Sequence, residues 1–375
     1  MKLTSHERIM RIFKNEDIDR PALKLWGAGF PDEPQLHPAY QPVSDLAYEL
    51  SDLFVGAGFR FNIYGGMELP AYQEVWREDT AHPTWKDEHT VLHTPKGDLH
   101  MIERVSTVGE PSYTTEYMIK EPEDLEALLS LPYTPFPIDT SDYERKAVKL
   151  GDRGVVMASL DNASYAFHRM MGSETLAYFS VDERELLTEA ISVYAKRLYD
   201  HAKAILDAGI IAPFSWVGPE LFIPPLMGPK DFDDFVFNFD KPLCDLIHDR
   251  GGYVWVHCHG KTGKFIDRFT DMGVDILNPL EPPKNGDIFL QETVKKHGRQ
   301  IGLEGNIEIQ ELLQASPERV KMLIDECVEA GSKSGRFILC PSAGYMEYPF
   351  PEPAYIENLL LYLRHGRETV EKYHY

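Results

Sequence analysis

The segment HCHG, residues 257–260, ends a short apolar run and carries the clearest chemical signal in the sequence. Side chains two positions apart on a strand point the same way, so both imidazoles should face one side and Cys258 the other. Cys340 ends a different predicted strand, next to a loop that contains glycine. Two imidazoles and one thiolate with an open position form a catalytic zinc pattern, so we predict that His257, His259 and Cys340 bind zinc. Alternatively, they are core histidines and a small buried thiol.

Three acidic residues also follow predicted strands and are candidates for catalysis. Asp161 comes directly after one strand, Glu281 shortly after another, and Glu304 at the end of a third. Such carboxyl groups act as general acids or bases, and Glu281 or Glu304 could also supply a fourth metal ligand. The competing interpretation is a hydrogen-bonded carboxylate that holds a loop.

Aromatic and amide side chains near the same strand ends are candidates for a substrate pocket. They are Trp26, Tyr64, Trp216, Asn278 and Tyr345. Each aromatic ring could equally be part of the packed interior.

The elements that position these residues alternate between β-branched or aromatic runs and amphipathic stretches. The candidate strands are residues 22–26, 59–64, 155–160, 210–216, 253–258, 274–277, 300–303 and 336–340. Strands that alternate with helices pair in parallel, and eight of them close into a (β/α)8 TIM barrel whose chemistry lies at the carboxyl ends of the strands. An open doubly wound sheet is the structural alternative.

Capping signals and one irregular segment complete the domain prediction. Thr4 with Glu7, Asp182 with Glu185, and Ser316 before proline each predict a helix start. Residues 72–120 break the alternation and are predicted to form a hairpin insertion over one end of the barrel. We therefore expect one barrel domain over residues 1–375.

Composition excludes several classes of function. The sequence has 60 acidic and 38 basic residues and a net charge of −22, which disfavours binding to nucleic acid or to an anionic membrane. It has no apolar run long enough to span a bilayer, and its charged start lacks the apolar region of a secretory signal. Four cysteines are too few for a disulfide framework in a chain of this length. We expect a cytoplasmic protein with free thiols.

Several segments resemble one known superfamily. HERIMRIFKNEDIDRPALKLWG, VGPELFIPPLMGPKDFDDFV, GGYVWVHCHGKTGKFIDRFTDMGVDILNPLEPP, IGLEGNIEIQELLQASPERV and RFILCPSAGYMEYPFPEP are similar to the uroporphyrinogen decarboxylase superfamily. The resemblance spans most of the chain and implies a (β/α)8 barrel.

Within that superfamily the chain looks most like the cobalamin-dependent, or corrinoid, methyltransferases. The decarboxylases carry Arg-Gln-Ala-Gly-Arg after the first strand, where this sequence reads LWGAGF without arginine. The methyltransferases bind zinc through a His-x-Cys pair and a later Cys. By position, the resemblance implies that His257 is the first ligand and Cys340 the last. His259 stands where that family has its first cysteine.

This departure has a chemical consequence. Zinc with two neutral imidazoles and one thiolate keeps a formal charge of +1 and is a stronger Lewis acid than the neutral site with two thiolates. We therefore expect the donor-side reaction, in which a methyl group passes from a small O- or N-methylated compound to a corrinoid protein. Zinc would hold the leaving oxygen, and Glu281 or Glu304 could protonate it. The resemblance also implies a possible homodimer.

Three other functions stay open at this point. A metal-dependent hydrolase of the amidohydrolase type also uses His-x-His, but on its first strand, whereas here the pair lies on the fifth. A uroporphyrinogen decarboxylase-type lyase would need no metal but lacks the arginines that grip its substrate. A paralogue that has lost its chemistry would serve as a binding protein or scaffold.

Overall fold

The computed structural model describes residues 2–33, 37–344 and 352–373. The strands within them are β1 (Ala22–Leu23), β2 (Leu53–Gly58), β3 (Gln73–Asp79), β4 (Trp85–Thr94), β5 (Gly97–Ser106), β6 (Tyr113–Glu116), β7 (Gly154–Ser159), β8 (Pro213–Val217), β9 (Tyr253–His257), β10 (Ile276–Asn278), β11 (Gly302–Ile307) and β12 (Phe337–Pro341). The helices are α1 (Ser5–Phe13), α2 (Gln41–Leu50), α3 (Leu69–Tyr72), α4 (Pro122–Leu129), α5 (Ser141–Leu150), α6 (Ala163–Asp182), α7 (Arg184–Asp207), α8 (Pro229–Phe232), α9 (Asn238–Asp249), α10 (Ile266–Met272), α11 (Leu290–His297), α12 (Ile309–Gln314), α13 (Pro317–Ser332) and α14 (Pro353–Val370).

Eight strands form one parallel sheet in the order β1-β12-β11-β10-β9-β8-β7-β2. The two edge strands meet where the backbone N–H of Asp52 donates to Leu23 O at 2.7 Å. The backbone N–H of Leu23 in turn donates to the Asp52 carboxylate at 2.9 Å. The predicted TIM-barrel fold is confirmed.

The barrel interior is apolar at its amino-terminal end. Phe54, Trp255 and Ile338 from different strands pack there with Ile9 and Ile12 of α1. Helix α1 is fixed by the predicted capping box, in which Thr4 and Glu7 bond each other's backbone N–H groups. Because α1 closes this end, the carboxyl ends of the strands form the open mouth, where chemistry is expected.

Two of the predicted boundaries are wrong. The second strand is Leu53–Gly58, whereas residues 59–64 form an irregular segment after it. The strand was missed because it contains Gly56 and Gly58, and glycine is depleted in strands. The aromatic run that follows was predicted instead because aromatic residues have high strand propensity. The Asp182 cap is also wrong, because Asp182 ends α6 and α7 begins at Arg184. Ser316 caps α13 as predicted.

The insertion is a four-stranded antiparallel sheet, β3-β4-β5-β6, inside the predicted range 72–120. Leu92 and Leu99 from its central hairpin are buried in the main core, which anchors the sheet. The opposite face carries Trp76, His89 and His100.

No helix in the described parts of the chain is both long enough and apolar enough to cross a membrane.

Candidate active site

Three neighbouring strands bring His257, Asn278 and Glu304 together in the barrel interior. His257 ends β9, Asn278 ends β10, and these two residues are register partners. Leu277 pairs with Leu303, which puts Asn278 beside Glu304 on β11. The order of the strands therefore assembles a row of polar side chains from residues far apart in sequence.

These side chains form a continuous hydrogen-bonded row with Lys24, which we call the interior network. Lys24 Nζ donates to Glu304 Oε1 at 2.6 Å, and Asn278 Nδ2 donates to the same oxygen at 2.8 Å. His257 Nδ1 lies 2.6 Å from Asn278 Oδ1. Trp255 Nε1 donates to the second oxygen of Glu304 at 2.8 Å. Both oxygens of this buried carboxylate are thus engaged.

The interior network fixes the tautomer of His257. The carboxylate of Glu304 only accepts hydrogen bonds, so Asn278 must turn its Nδ2 toward it and its Oδ1 toward His257. The Nδ1 of His257 then carries the proton, and its Nε2 presents a lone pair. Burial lowers the pKa of His257 to about 3, with further lowering by the charges of His259 and Lys24. A neutral imidazole oriented in this way fits a metal ligand.

His259 is held in the same manner at the mouth. Its Nδ1 lies 2.8 Å from Glu281 Oε1, while the backbone N–H of Gly260 donates to Glu281 Oε2 at 2.6 Å. Its ring meets that of His257 edge to face, with centroids 4.4 Å apart. Partial burial opposes protonation of His259, but the hydrogen bond and charge of Glu281 outweigh it and raise its pKa.

Cys340 follows the buried Ile338 by two residues on β12, so it faces the same interior side. Complete burial raises the pKa of its thiol well above the usual value, and the charge of Glu304 raises it further. In residues 2–33, 37–344 and 352–373, no three His, Cys, Asp or Glu side chains are grouped as metal ligands. The structure therefore pairs the two histidines but does not group Cys340 with them.

The predicted acids occupy different environments. Glu304 is 0% exposed and fully hydrogen-bonded, which suits a group that orients Asn278 rather than one that exchanges protons with substrate. Glu281 orients His259. Asp161 accepts a hydrogen bond from Arg169 Nη2 at 2.5 Å. It follows β7, which lies two strands away from β9 in the sheet.

The predicted substrate-binding residues also separate. The ring of Trp26 lies 4.5 Å from that of His257. Tyr64 is half-buried, and the charges of Arg169 and Asp161 act on it. Trp216 is 2% exposed and packs in the layer between strands and helices. Asn278 belongs to the interior network, and Tyr345 lies outside the described residues.

Sequence reasoning missed three charged groups of the site. Lys24 Nζ lies 4.4 to 5.0 Å from the ring centroids of Phe54, Trp255 and Trp26. Its role could have been predicted from the sequence, because a lysine is unusual between the apolar residues of a barrel strand. The charges of Glu220 and Glu308 both raise the pKa of His259. Burial raises the pKa of each of these two acids. Glu220 follows its strand as Glu281 does, so its position was a usable signal, whereas Glu308 lies in the loop after β11 without one.

A family model decides the relationship. The model described as uroporphyrinogen decarboxylase (URO-D) matches residues 105–353, which is more than half of the chain. The chain belongs to the uroporphyrinogen decarboxylase family. The matched range includes His257, His259 and Cys340. No curated protein matches this family member.

Solved structures extend the likeness in fold. A methyltransferase from Methanosarcina mazei superposes on this family member with a TM-score of 0.61 and 14% identity, covering 98% of this chain and 99% of the other. A D-psicose 3-epimerase from Clostridium cellulolyticum H10 matches with a TM-score of 0.36 and 11% identity, over 62% and 84% of the two chains. The first likeness shows a shared fold.

Proposed function

We propose that this protein is a zinc-dependent methyltransferase that moves a methyl group between a small O- or N-methylated compound and a corrinoid protein. The observation that carries the proposal is the pair His257 and His259, whose Nδ1 atoms are both tied to oxygen acceptors. Each ring thereby presents its Nε2, the arrangement that oriented metal-binding histidines use. The fold shared with a structure described as a methyltransferase favours methyl transfer among the reactions that zinc supports.

The residues that would hold zinc are His257, His259 and Cys340; the thiol is not grouped with the two rings in this structure, so it would have to approach them when the ion binds. Two neutral imidazoles and one thiolate suit zinc and leave a position for substrate. Bound zinc would supply Lewis acidity toward the leaving oxygen or nitrogen of the methyl donor. The buried thiol must lose its proton for this role, and the positive charge of the ion compensates for the burial that otherwise raises its pKa.

The protein's own side chains supply orientation and a proton. Lys24, Glu304 and Asn278 hold His257 in one tautomer, and the ring of Trp26 covers one side of it. We assign protonation of the leaving group to Glu220, whose charge acts on His259. Burial raises the pKa of Glu220, and its buried Oε2 has no hydrogen-bond partner among the described residues. It therefore keeps a proton more readily than a solvated carboxyl group does.

The corrinoid partner would approach the carboxyl ends of the strands, because the amino-terminal end is closed by α1. The donor-side direction follows from ligand charge, since a site with two imidazoles and one thiolate is more electrophilic than one with two thiolates.

A spectroscopic assay of cobalamin methylation tests the proposal. Full-length zinc-loaded protein is incubated with reduced cobalamin and a panel of methoxylated and N-methylated compounds. We expect methylcobalamin to form with at least one donor and only with zinc-loaded protein. Porphyrinogen decarboxylation by metal-free protein, or hydrolysis of amides and esters without cobalamin, would contradict it and favour the lyase or the hydrolase.

Asn278→Ala is expected to weaken zinc binding by about 10- to 100-fold, because His257 loses the partner that fixes its tautomer. Competition with a zinc chelator measures this affinity. Asn358→Ala is the matched control, because Asn358 is also buried but bonds the carbonyl oxygens of Leu312 and Ala315 away from the mouth. Equal zinc affinities for the two variants would show that the interior network does not orient the ligand.

Glu220→Gln is expected to lower the rate of methyl transfer by about 10²- to 10⁴-fold without loss of zinc, because glutamine cannot donate a carboxyl proton. The loss should shrink for donors whose leaving group needs no protonation. Glu308→Gln is the comparison variant, since Glu308 also has a raised pKa and a buried Oε1 without a partner among the described residues, but its Oε2 accepts a hydrogen bond from Ser342 Oγ. A larger loss in the comparison variant would assign the proton transfer to Glu308.

A further inference from the structure

The outward face of the insertion sheet carries a pair of histidines that the barrel site does not use. His89 on β4 and His100 on β5 lie diagonally across neighbouring strands. Their facing nitrogens, His89 Nδ1 and His100 Nε2, are 3.1 Å apart. The two rings are nearly parallel, with an interplanar angle of 15°. One of these two nitrogens donates a hydrogen bond to the other, so the two imidazoles already share one contact between the strands.

The second nitrogen of each ring faces a carboxylate. His89 Nε2 lies 3.7 Å from Glu78 Oε2, and His100 Nδ1 lies 3.6 Å from Glu116 Oε1. Each ring can therefore place its proton toward a carboxylate and leave the inner nitrogen with its lone pair. Both separations are slightly longer than a hydrogen bond, so each carboxylate would have to approach by a few tenths of an ångström to support its ring as in carboxylate–histidine–metal sites.

Trp76 restrains the pair. Its ring stacks on His89 at a centroid distance of 4.8 Å and an angle of 5°, and it extends over His100 at 6.3 Å. The side chain of His89 is only 14% exposed, whereas that of His100 is 34% exposed. The pair is therefore oriented by packing yet open to solvent, so an ion can enter without rearrangement of the sheet.

We propose that His89 and His100 form a second metal site, which binds one zinc or copper(II) ion with water in the remaining positions. Two nitrogens bound to one tetrahedral ion at ~2.0–2.1 Å lie about 3.3 Å apart, close to the separation already present. Imidazole suits both ions, and the carboxylates of Glu78 and Glu116 add favourable charge. Binding needs the proton between the two rings to move to an outer nitrogen and both rings to turn slightly, so that their lone pairs aim at the ion; it needs no oxidant and no covalent step.

Copper(II) titration of the metal-free, full-length protein tests this site. Trp76 stacks on both rings, so bound copper(II) should quench its fluorescence, and electron paramagnetic resonance should show nitrogen ligands. We expect His89→Gln and His100→Gln each to weaken this binding at least tenfold. The His257→Ala variant should retain it, which keeps the result independent of the zinc site proposed in the barrel.

His93→Gln is the matched control, because His93 lies on the same sheet face but directs its ring nitrogens at Asp98 and Glu74. It should bind copper(II) like the wild type. Unchanged binding in both test variants would overturn the proposal, and so would an equal loss in all three. Circular dichroism of each variant checks that the sheet remains folded. If one of the two test variants does not fold, the other still tests the proposal.

Discussion

His257→Ala should remove one equivalent of zinc per chain and lower methyl transfer by about a thousandfold or more. A Lewis-acid metal is worth several kcal/mol of transition-state stabilisation, and about 4 kcal/mol corresponds to three powers of ten in rate. His257 is the ligand that the protein orients most completely, through Asn278, Glu304 and Lys24. Elemental analysis and the cobalamin assay on the same preparation measure both effects.

His201→Ala is the control for loss of a buried imidazole. His201 is also buried, burial lowers its pKa to about 4, and its ring stacks on Phe61 at 4.4 Å. It lies on α7 outside the barrel interior, so we expect this variant to keep its zinc and its specific activity once folded. An active, zinc-replete His257→Ala protein would contradict the proposed ligand set.

Asp52→Asn should destabilise the fold by about 3–5 kcal/mol, because it leaves the buried guanidinium of Arg20 without its counter-charge and removes one of the two carboxylates paired with Arg8. Asp52 is fully buried and accepts hydrogen bonds from Arg8 Nη1 at 2.7 Å and Arg20 Nη1 at 3.0 Å. Ser5 Oγ and the backbone N–H of Leu23 complete its shell. The residue thus joins α1 to both edge strands of the barrel. Urea unfolding measures the change.

The pH dependence of stability gives this prediction a second readout. Burial opposes ionisation of Asp52, but Arg20 and Arg8 outweigh it and lower its pKa from 3.8 to about 2. A lowered pKa in the folded state means that this contribution is present above about pH 4 and is lost as the pH falls toward 2. Asp17→Asn is the control, because its pair with Arg299 is largely exposed and should contribute little. Equal losses for the two variants would contradict the account.

The fold was predictable because alternation of strands and helices is a local pattern. Each strand of the second half lies within a few residues of its predicted position, since apolar runs bounded by turns mark buried parallel strands. The second strand escaped prediction because its glycines have low strand propensity, whereas the neighbouring aromatic run mimics a strand. Propensity cannot show which of two adjacent runs the sheet will use.

The site was predictable only where its residues share a strand. His259 lies two residues after His257, just beyond the end of β9, and its ring contacts that of His257 as the predicted alternation implied. The supporting contacts from Lys24, Asn278 and Glu304 depend on the register between strands, which no local pattern encodes. For the same reason the sequence could not reveal that Glu304 is buried and fully bonded, or that Trp216 points into the helix layer.

Zinc content of the wild type and of Cys340→Ala, measured side by side after metal-replete expression, tests the central claim most directly. Only the barrel site depends on this thiol, so the difference between the two proteins isolates it from the sheet histidines. We expect Cys340→Ala to hold one equivalent less than the wild type. Equal zinc in the two folded proteins, or none in the wild type, would contradict it.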